Sequence, residues 1–309
     1  MTTLSDAVTA YKICAKAEGK SPKTISWVTD AVRYFSDFLG DGHHDLSKVT
    51  VHDLRRFILA LRNAKAYSHH RFTRPQDRPL SPQSIVSYVG AIKSFFSFLA
   101  REQIIPSNPM DNVTLKVPKK VIATFSEAQL QRLLAQPDKG TVEGYRDYTI
   151  MLTLLDTGAR LGELMGLKLG DVDLEQGYLK VTGKGSRERY LPIGAKVTKA
   201  LLKYRIRRAE TTWDNFFVTK DGRPLTLRRV QAVIKRYGEK AKVSGVRCSP
   251  HTFRHTSCVM YLRNGGDPFT LQKKLGHSSL QMTRHYSNLV DADVRAAHLK
   301  HGPADRLNV

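Results

Sequence analysis

Cysteine is nearly absent from this sequence. Cys14, Cys248 and Cys258 are the only three in 309 residues; they are unevenly spaced, odd in number and form no CxxC pair, which argues against a disulfide framework and a zinc site. Cys258, among Val259 and Leu262, reads as a buried structural thiol, because a free cysteine behaves as a small hydrophobe. No apolar run approaches the ~18 residues a spanning helix needs. The start, MTTLSDAVTAYKICAKAEGK, lacks a basic segment followed by an unbroken apolar one. A soluble, cytoplasmic protein is the expectation, nucleoid-associated if bacterial. HExxH and Gly-rich phosphate-loop patterns are also missing, so metal-dependent nuclease and ATP-driven helicase chemistry have no support. No metal and no cofactor is expected. Neither an internal repeat nor a low-complexity segment interrupts the chain.

Carboxylates are outnumbered by cations. With 50 Lys and Arg against 28 Asp and Glu, the formal net charge is +22 and the pI about 10.0, the electrostatic footprint of a nucleic-acid binder. The charge is spread along the chain, and no basic amphipathic segment or lipidation signal points to a membrane instead.

The chain is long enough for two domains, each with its own core. Apolar residues recur at three and four spacing over 4–18, 22–39, 51–64 and 81–101, predicting four amphipathic helices. Ser21-Pro22 and Ser81-Pro82 supply N-cap and first-turn chemistry for two of them. SHHRFTRPQDRPL, residues 68–80, reads as a basic loop. Residues 103–120 hold three prolines and no helical period. The domains are therefore placed at 1–105 and 121–309, joined by a basic linker at 106–120. Such a linker suits either a clamp that closes around a duplex or an ordinary solvated connection.

Beyond the linker, helices are predicted at 125–136, with Ser126 as N-cap, and at 143–156, ending at Thr157-Gly158. Two β-rich runs, 178–182 and 187–193, flank a Gly-Lys-Gly-Ser turn and predict a hairpin. Further helices are expected at 196–209, 227–242, 251–264 and 291–300. The fold class is thus mainly α, with a small antiparallel sheet in the second domain.

Several demanding side chains lie along that second domain: Arg160 in TGARLGE, Lys184 in TGKGSRER, His251 and Arg254 in SPHTFRH, His277 in LGHSS and Tyr286 in TRHYSNL. Arg160 and Arg254 suit the non-bridging oxygens of a phosphate, because a guanidinium presents a fixed fork and stays charged. His251 and Arg254, three apart behind Pro250, share a helix face near its N-terminus, where an anion is welcome. His251 could donate to a phosphate or act as a base, and the sequence does not separate the two. His255 reads as orienting its neighbours. Lys184, between two glycines at the hairpin tip, could reach a DNA groove.

The order and context of these motifs resemble the tyrosine recombinase, or phage integrase, family, over residues 1 to about 300. The resemblance implies a core-binding N-terminal domain, a catalytic C-terminal domain and Tyr286 as the nucleophile, selected from 12 tyrosines by its position relative to the other motifs. A phenol of reference pKa ~10 is a weak nucleophile at neutral pH, so such a site must surround it with cations. Attack on DNA would leave a 3′-phosphotyrosyl bond and a 5′ oxygen, which Lys184 could protonate; His277 would support the phosphate and Tyr286. Lys23, Ser81, Arg228 and Arg229 are further candidates for DNA contact. The implied partners are double-stranded DNA with an inverted-repeat site and a homotetramer formed on it, exchanging strands through a four-way junction. Two other readings share features with this one: a monomeric type IB topoisomerase, and a non-catalytic DNA-binding protein on the same fold. Val294, Ala297 and Leu299 would give the tail an apolar face for a neighbouring subunit or for its own domain.

Overall fold

A computed structural model describes residues 3–40, 46–68, 73–116, 122–183 and 188–276. The chain divides into two compact units, Met1–Lys120 and Val121–Val309.

The first unit is helical: α1 (Leu4–Ala17), α2 (Pro22–Leu39), α3 (Val51–Asn63) and α4 (Pro82–Arg101). Their starts follow from local chemistry. Ser21 and Ser81 accept from the backbone N–H three residues on, with proline in the first turn of each helix, and Thr50 and Asp53 cap α3 reciprocally. The helices close on an aromatic core in which Tyr11 meets Phe95 and Phe98 edge-on and Phe57 meets Tyr34 and Phe35 in the same way. The segment after α4, read from its prolines as part of a linker, does not leave this core: Ile105 and Met110 are buried in it, with Val113 and Leu115 packed against it. Isolated apolar residues in a turn carry no period, so sequence pattern alone does not register them.

The second unit runs α5 (Glu127–Leu134), α6 (Val142–Thr157), α7 (Leu161–Met165), β1 (Val172–Asp173), β2 (Tyr178–Thr182), β3 (Glu188–Pro192), α8 (Ala195–Arg207), α9 (Leu227–Lys240), α10 (Pro250–Arg263) and α11 (Pro268–Leu275). The strands form an antiparallel sheet in the order β1-β2-β3. Its inner face places Val172, Leu179, Val181 and Leu191 in the core, while Tyr178 and Tyr190 stay exposed. α6 is the central element, packed on α10 and α8. Its Thr149, Thr153 and Thr157 are fully buried, each hydroxyl donating to the carbonyl four residues back, which lets polar side chains lie in a dry helix interface.

The strands and most helices lie where the sequence pattern places them. β1, α7 and α11 are additions, each too short to establish a period. The helix expected at 291–300 lies outside the described residues. Among the described residues no helix is long and apolar enough to cross a membrane. Cys14 and Cys248 are free thiols, and Cys258 is fully buried.

Candidate active site

Two helix C-termini create the site. α6 ends at Gly158, a left-handed residue with φ 64°, and the chain turns at once into α7 with Arg160 as its N-cap residue. α11 ends the same way at Gly276, φ 63°. A side chain at either glycine would be crowded. A Cβ on Gly158 would lie 3.1 Å from Leu275 and 3.2 Å from the Ser257 hydroxyl, and one on Gly276 would lie 3.2 Å from Arg189. Both positions combine positive φ with close approach, the two circumstances that call for glycine.

Arg254, on α10, is buried, and its guanidinium donates to the Gly158 carbonyl at 2.6 Å and to the Leu275 carbonyl at 3.2 Å. These are C-terminal helix carbonyls that lack partners within their own helix. Their hold fixes the plane of the guanidinium, and the negative ends of the two helices stabilise its charge.

Arg160 is anchored differently. Its backbone N–H donates to Glu163 Oε2 at 2.8 Å and its guanidinium to Glu163 Oε1 at 2.9 Å, while 43% of the side chain remains exposed. Glu163 is buried and receives a second, two-pronged contact from Arg189 on β3, 2.8 Å to each oxygen. Burial pushes the Glu163 carboxyl up; the Arg189 hydrogen bonds and the Arg160 amide outweigh it and hold the group below its usual value. Arg189 also donates from Nε to the Lys274 carbonyl at 3.1 Å. Arg160, Arg254, Glu163, Arg189 and the end of α11 thus form one connected cationic cradle, suited to an anion with several oxygens.

His251 is exposed in the first turn of α10, after the N-cap Ser249 and Pro250. His255, half-buried one turn on, is kept neutral: burial, then the charges of His251 and Arg254, lower its pKa. Phe253 and Val259 are buried in the packing of α10. Lys184, His277 and Tyr286 lie outside the described residues. The ends of β2 and β3 stand on either side of Lys184, and α11 ends two residues before His277.

Glu163 and Arg189 were not among the residues that the sequence pattern singled out, yet signals for both exist. Glu163 stands three residues after Arg160 in a helix-start pattern, where a glutamate reaches back to the N-cap amide. Arg189 pairs with Val181 across the strands and so shares the inward face with Leu191; a charge at a core-facing strand position needs a partner.

The four further DNA-contact candidates divide between the units, Lys23 and Ser81 in the first, Arg228 and Arg229 in the second. Lys23, Arg228 and Arg229 are exposed in the first turns of α2 and α9. Ser81 is half-buried, with its hydroxyl committed to the start of α4 through the Ser84 amide and hydroxyl. Among the described residues, no hydrogen bond or ion pair connects Arg228 or Arg229 to the cradle.

Comparison with known proteins places this arrangement. Residues 123–292 match the phage integrase family, and residues 11–103 match the phage integrase N-terminal SAM-like domain. The chain is 31% identical over 293 residues to the tyrosine recombinase XerC of Bacillus pumilus, covering 92% of this chain and 91% of that protein. It is 34% identical over 233 residues to the tyrosine recombinase XerD of Staphylococcus haemolyticus, covering 74% of this chain and 79% of the relative. Among solved structures, the Tn1549 transposon integrase in complex with transposon right end DNA shares the fold, with a TM-score of 0.75 at 21% identity over 95% of this chain and 98% of that one. The XerH site-specific recombinase bound to a palindromic difH substrate superposes with a TM-score of 0.72 at 21% identity, over 95% and 84% of the two chains.

Proposed function

The chain belongs to the phage integrase family and is a tyrosine site-specific recombinase, and on that premise we propose that Tyr286 cuts DNA within the cradle of Arg160 and Arg254. The tyrosine oxygen attacks the scissile phosphorus. A phosphorus–oxygen bond to the tyrosine forms, the bond to the 5′ oxygen breaks, and Lys184 supplies the proton which that oxygen takes up. The product is a 3′-phosphotyrosyl bond, which stores the energy of the broken linkage, and a 5′ hydroxyl that reverses the step on the same strand or on a partner strand.

The observation that carries this reading is the convergence of Arg254 and Arg160 on one cradle from separate helices, each held by contacts that do not require substrate. Negative charge on the non-bridging oxygens grows as the phosphorane forms, and donors fixed in advance stabilise that growth without reorganising. His251, exposed at the start of α10, is placed to donate to the phosphate or to take the tyrosine proton. His277 follows the end of α11 and supports the same phosphate.

The substrate of this reading is double-stranded DNA with an inverted-repeat site, bound by a homotetramer that exchanges strands through a four-way junction, in the cytoplasm and, if the cell is bacterial, at its nucleoid. Lys23, Ser81, Arg228 and Arg229 contribute DNA contacts, and residues 1–105 and 121–309 divide core binding from catalysis. Similarity to recombinases over most of the chain does not favour the topoisomerase alternative.

Covalent capture tests the assignment. Nicked duplexes from a randomised pool are incubated with the wild-type chain, and adducts that survive denaturation are recovered and sequenced. Tyr286→Phe should form no adduct with the recovered duplex while binding it within about twofold of wild type, since affinity rests on many phosphate contacts. An adduct that persists in Tyr286→Phe would move the nucleophile to another residue.

A further inference from the structure

Lys274 is a cation at the junction of α6 and α11 to which the proposed recombination chemistry gives no step. Its side chain turns inward, away from the position of Lys273, and the ammonium donates to the Asp156 carbonyl at 2.9 Å. Asp156 belongs to the last turn of α6, so this carbonyl is among those its own helix cannot satisfy. The ammonium also lies 5.2 Å from the centre of the Tyr261 ring. Burial lowers the Lys274 pKa, against the opposing influence of Asp156 and Cys258.

The contacts around it are reciprocal. Lys274 caps α6, Arg254 reaches the Gly158 carbonyl just beyond α6, and the carbonyls of Lys274 and Leu275 at the end of α11 accept from Arg189 and Arg254. Two helix ends, each equivalent to roughly half a negative charge, are thereby brought together with three cations between them. Two of the cations are arginines of the cradle. Without the third, the Asp156 carbonyl would lose its donor, and the end of α11, whose Leu275 carbonyl holds Arg254, would lose a tie to α6.

We propose that Lys274 is a positioning residue: by tying α11 to the last turn of α6 it sets Arg254 and the chain leading into His277 in register with the scissile phosphate. This rests on the recombinase reading above. A purely structural lysine would lose stability and rate together on removal, whereas a positioning lysine loses rate alone, because an apolar side chain of similar length fills its place without the cost of a half-buried ammonium.

The test compares Lys274→Met and Lys274→Arg with wild type on the duplex recovered by covalent capture. Three quantities are read: thermal midpoint, affinity by gel shift, and single-turnover cleavage rate at saturating DNA. Lys274→Met should keep its midpoint or raise it, bind within about twofold of wild type and cleave at least about tenfold more slowly, a loss confined to the step in which the phosphate charge develops. Lys274→Arg, which keeps a cation at the α6 carbonyl, should recover most of the rate. Cleavage by Lys274→Met within twofold of wild type overturns the proposal, and so does a fall in midpoint large enough to account for the lost rate. If the wild-type chain captures no duplex at all, the recombinase reading fails first, and that outcome is distinct from either.

Discussion

Arg189 donates to both carboxylate oxygens of Glu163 from a strand 26 residues away, 2.8 Å to each. This contact decides what the neighbouring arginine is able to do. A carboxylate paired with Arg160 alone would cancel its charge. With Arg189 sharing the same carboxylate, Glu163 aims Arg160 while the cluster retains a net positive charge for phosphate. The bridge also ties the hairpin strand β3 to the start of α7.

Glu163→Gln should destabilise the fold by about 3 kcal/mol at neutral pH, the scale for breaking a buried pair and leaving a guanidinium partly uncompensated. The folded-state pKa of Glu163 lies below its unfolded value. Its contribution is therefore full above the unfolded value and is lost as pH falls through the folded one. Urea unfolding at neutral and acidic pH should show the gap between variant and wild type shrinking on acidification; a gap independent of pH would rule out the charge as its source.

Tyr237 on α9 offers a second, oppositely signed dependence. Its hydroxyl donates to Asp147 at 3.1 Å, and Asp147 is paired with the buried Arg146 at 2.7 Å. Burial first, then Asp147, push the Tyr237 pKa up to about 12. The stabilisation is complete below the unfolded value near ~10 and disappears as pH rises through the folded one. Tyr237→Phe should cost about 1–2 kcal/mol at neutral pH, and its deficit relative to wild type should close in alkaline melts.

The two cradle arginines should separate by stability. Arg160 is substantially exposed, so Arg160→Ala should fold with a loss of no more than about 1 kcal/mol while cleaving about a hundredfold to a thousandfold more slowly. Arg254→Ala removes a buried cation that satisfies two helix-terminal carbonyls, and should lower the thermal midpoint as well as the rate. Calorimetry alongside single-turnover cleavage checks the contrast; equal midpoints for the two variants would contradict it.

For Lys184, the leaving group provides the test. Replacing the 5′ bridging oxygen with sulfur makes the departing group a thiolate whose conjugate acid has a pKa near ~8.5, so it needs no proton. Lys184→Ala should be slow on ordinary DNA and close to wild type on the sulfur-substituted strand. Arg160→Ala should stay slow on both, since the role proposed for it is at the non-bridging oxygens. Absence of rescue for Lys184→Ala would make that lysine a DNA-positioning group and leave the acid to another residue.

Local chemistry determined much of this protein directly. Ser21-Pro22, Ser81-Pro82 and Ser249-Pro250 start helices because cap and first-turn preferences act within four residues, and the two strands around Lys184 follow from alternation over five residues each. The arginines at 160 and 254 could be picked out as candidates because a phosphate site calls for forked cations, and the structure brings them into one cluster. What holds those arginines was decided by tertiary structure. Arg189 reaches Glu163, Lys274 reaches Asp156 and Arg254 reaches Gly158 across separations of 26, 118 and 96 residues. No local propensity encodes such pairings; they arise when the α6 and α11 termini are packed together and their unsatisfied carbonyls require donors. The same holds for Ile105 and Met110, whose burial depends on the core already formed by α1 to α4.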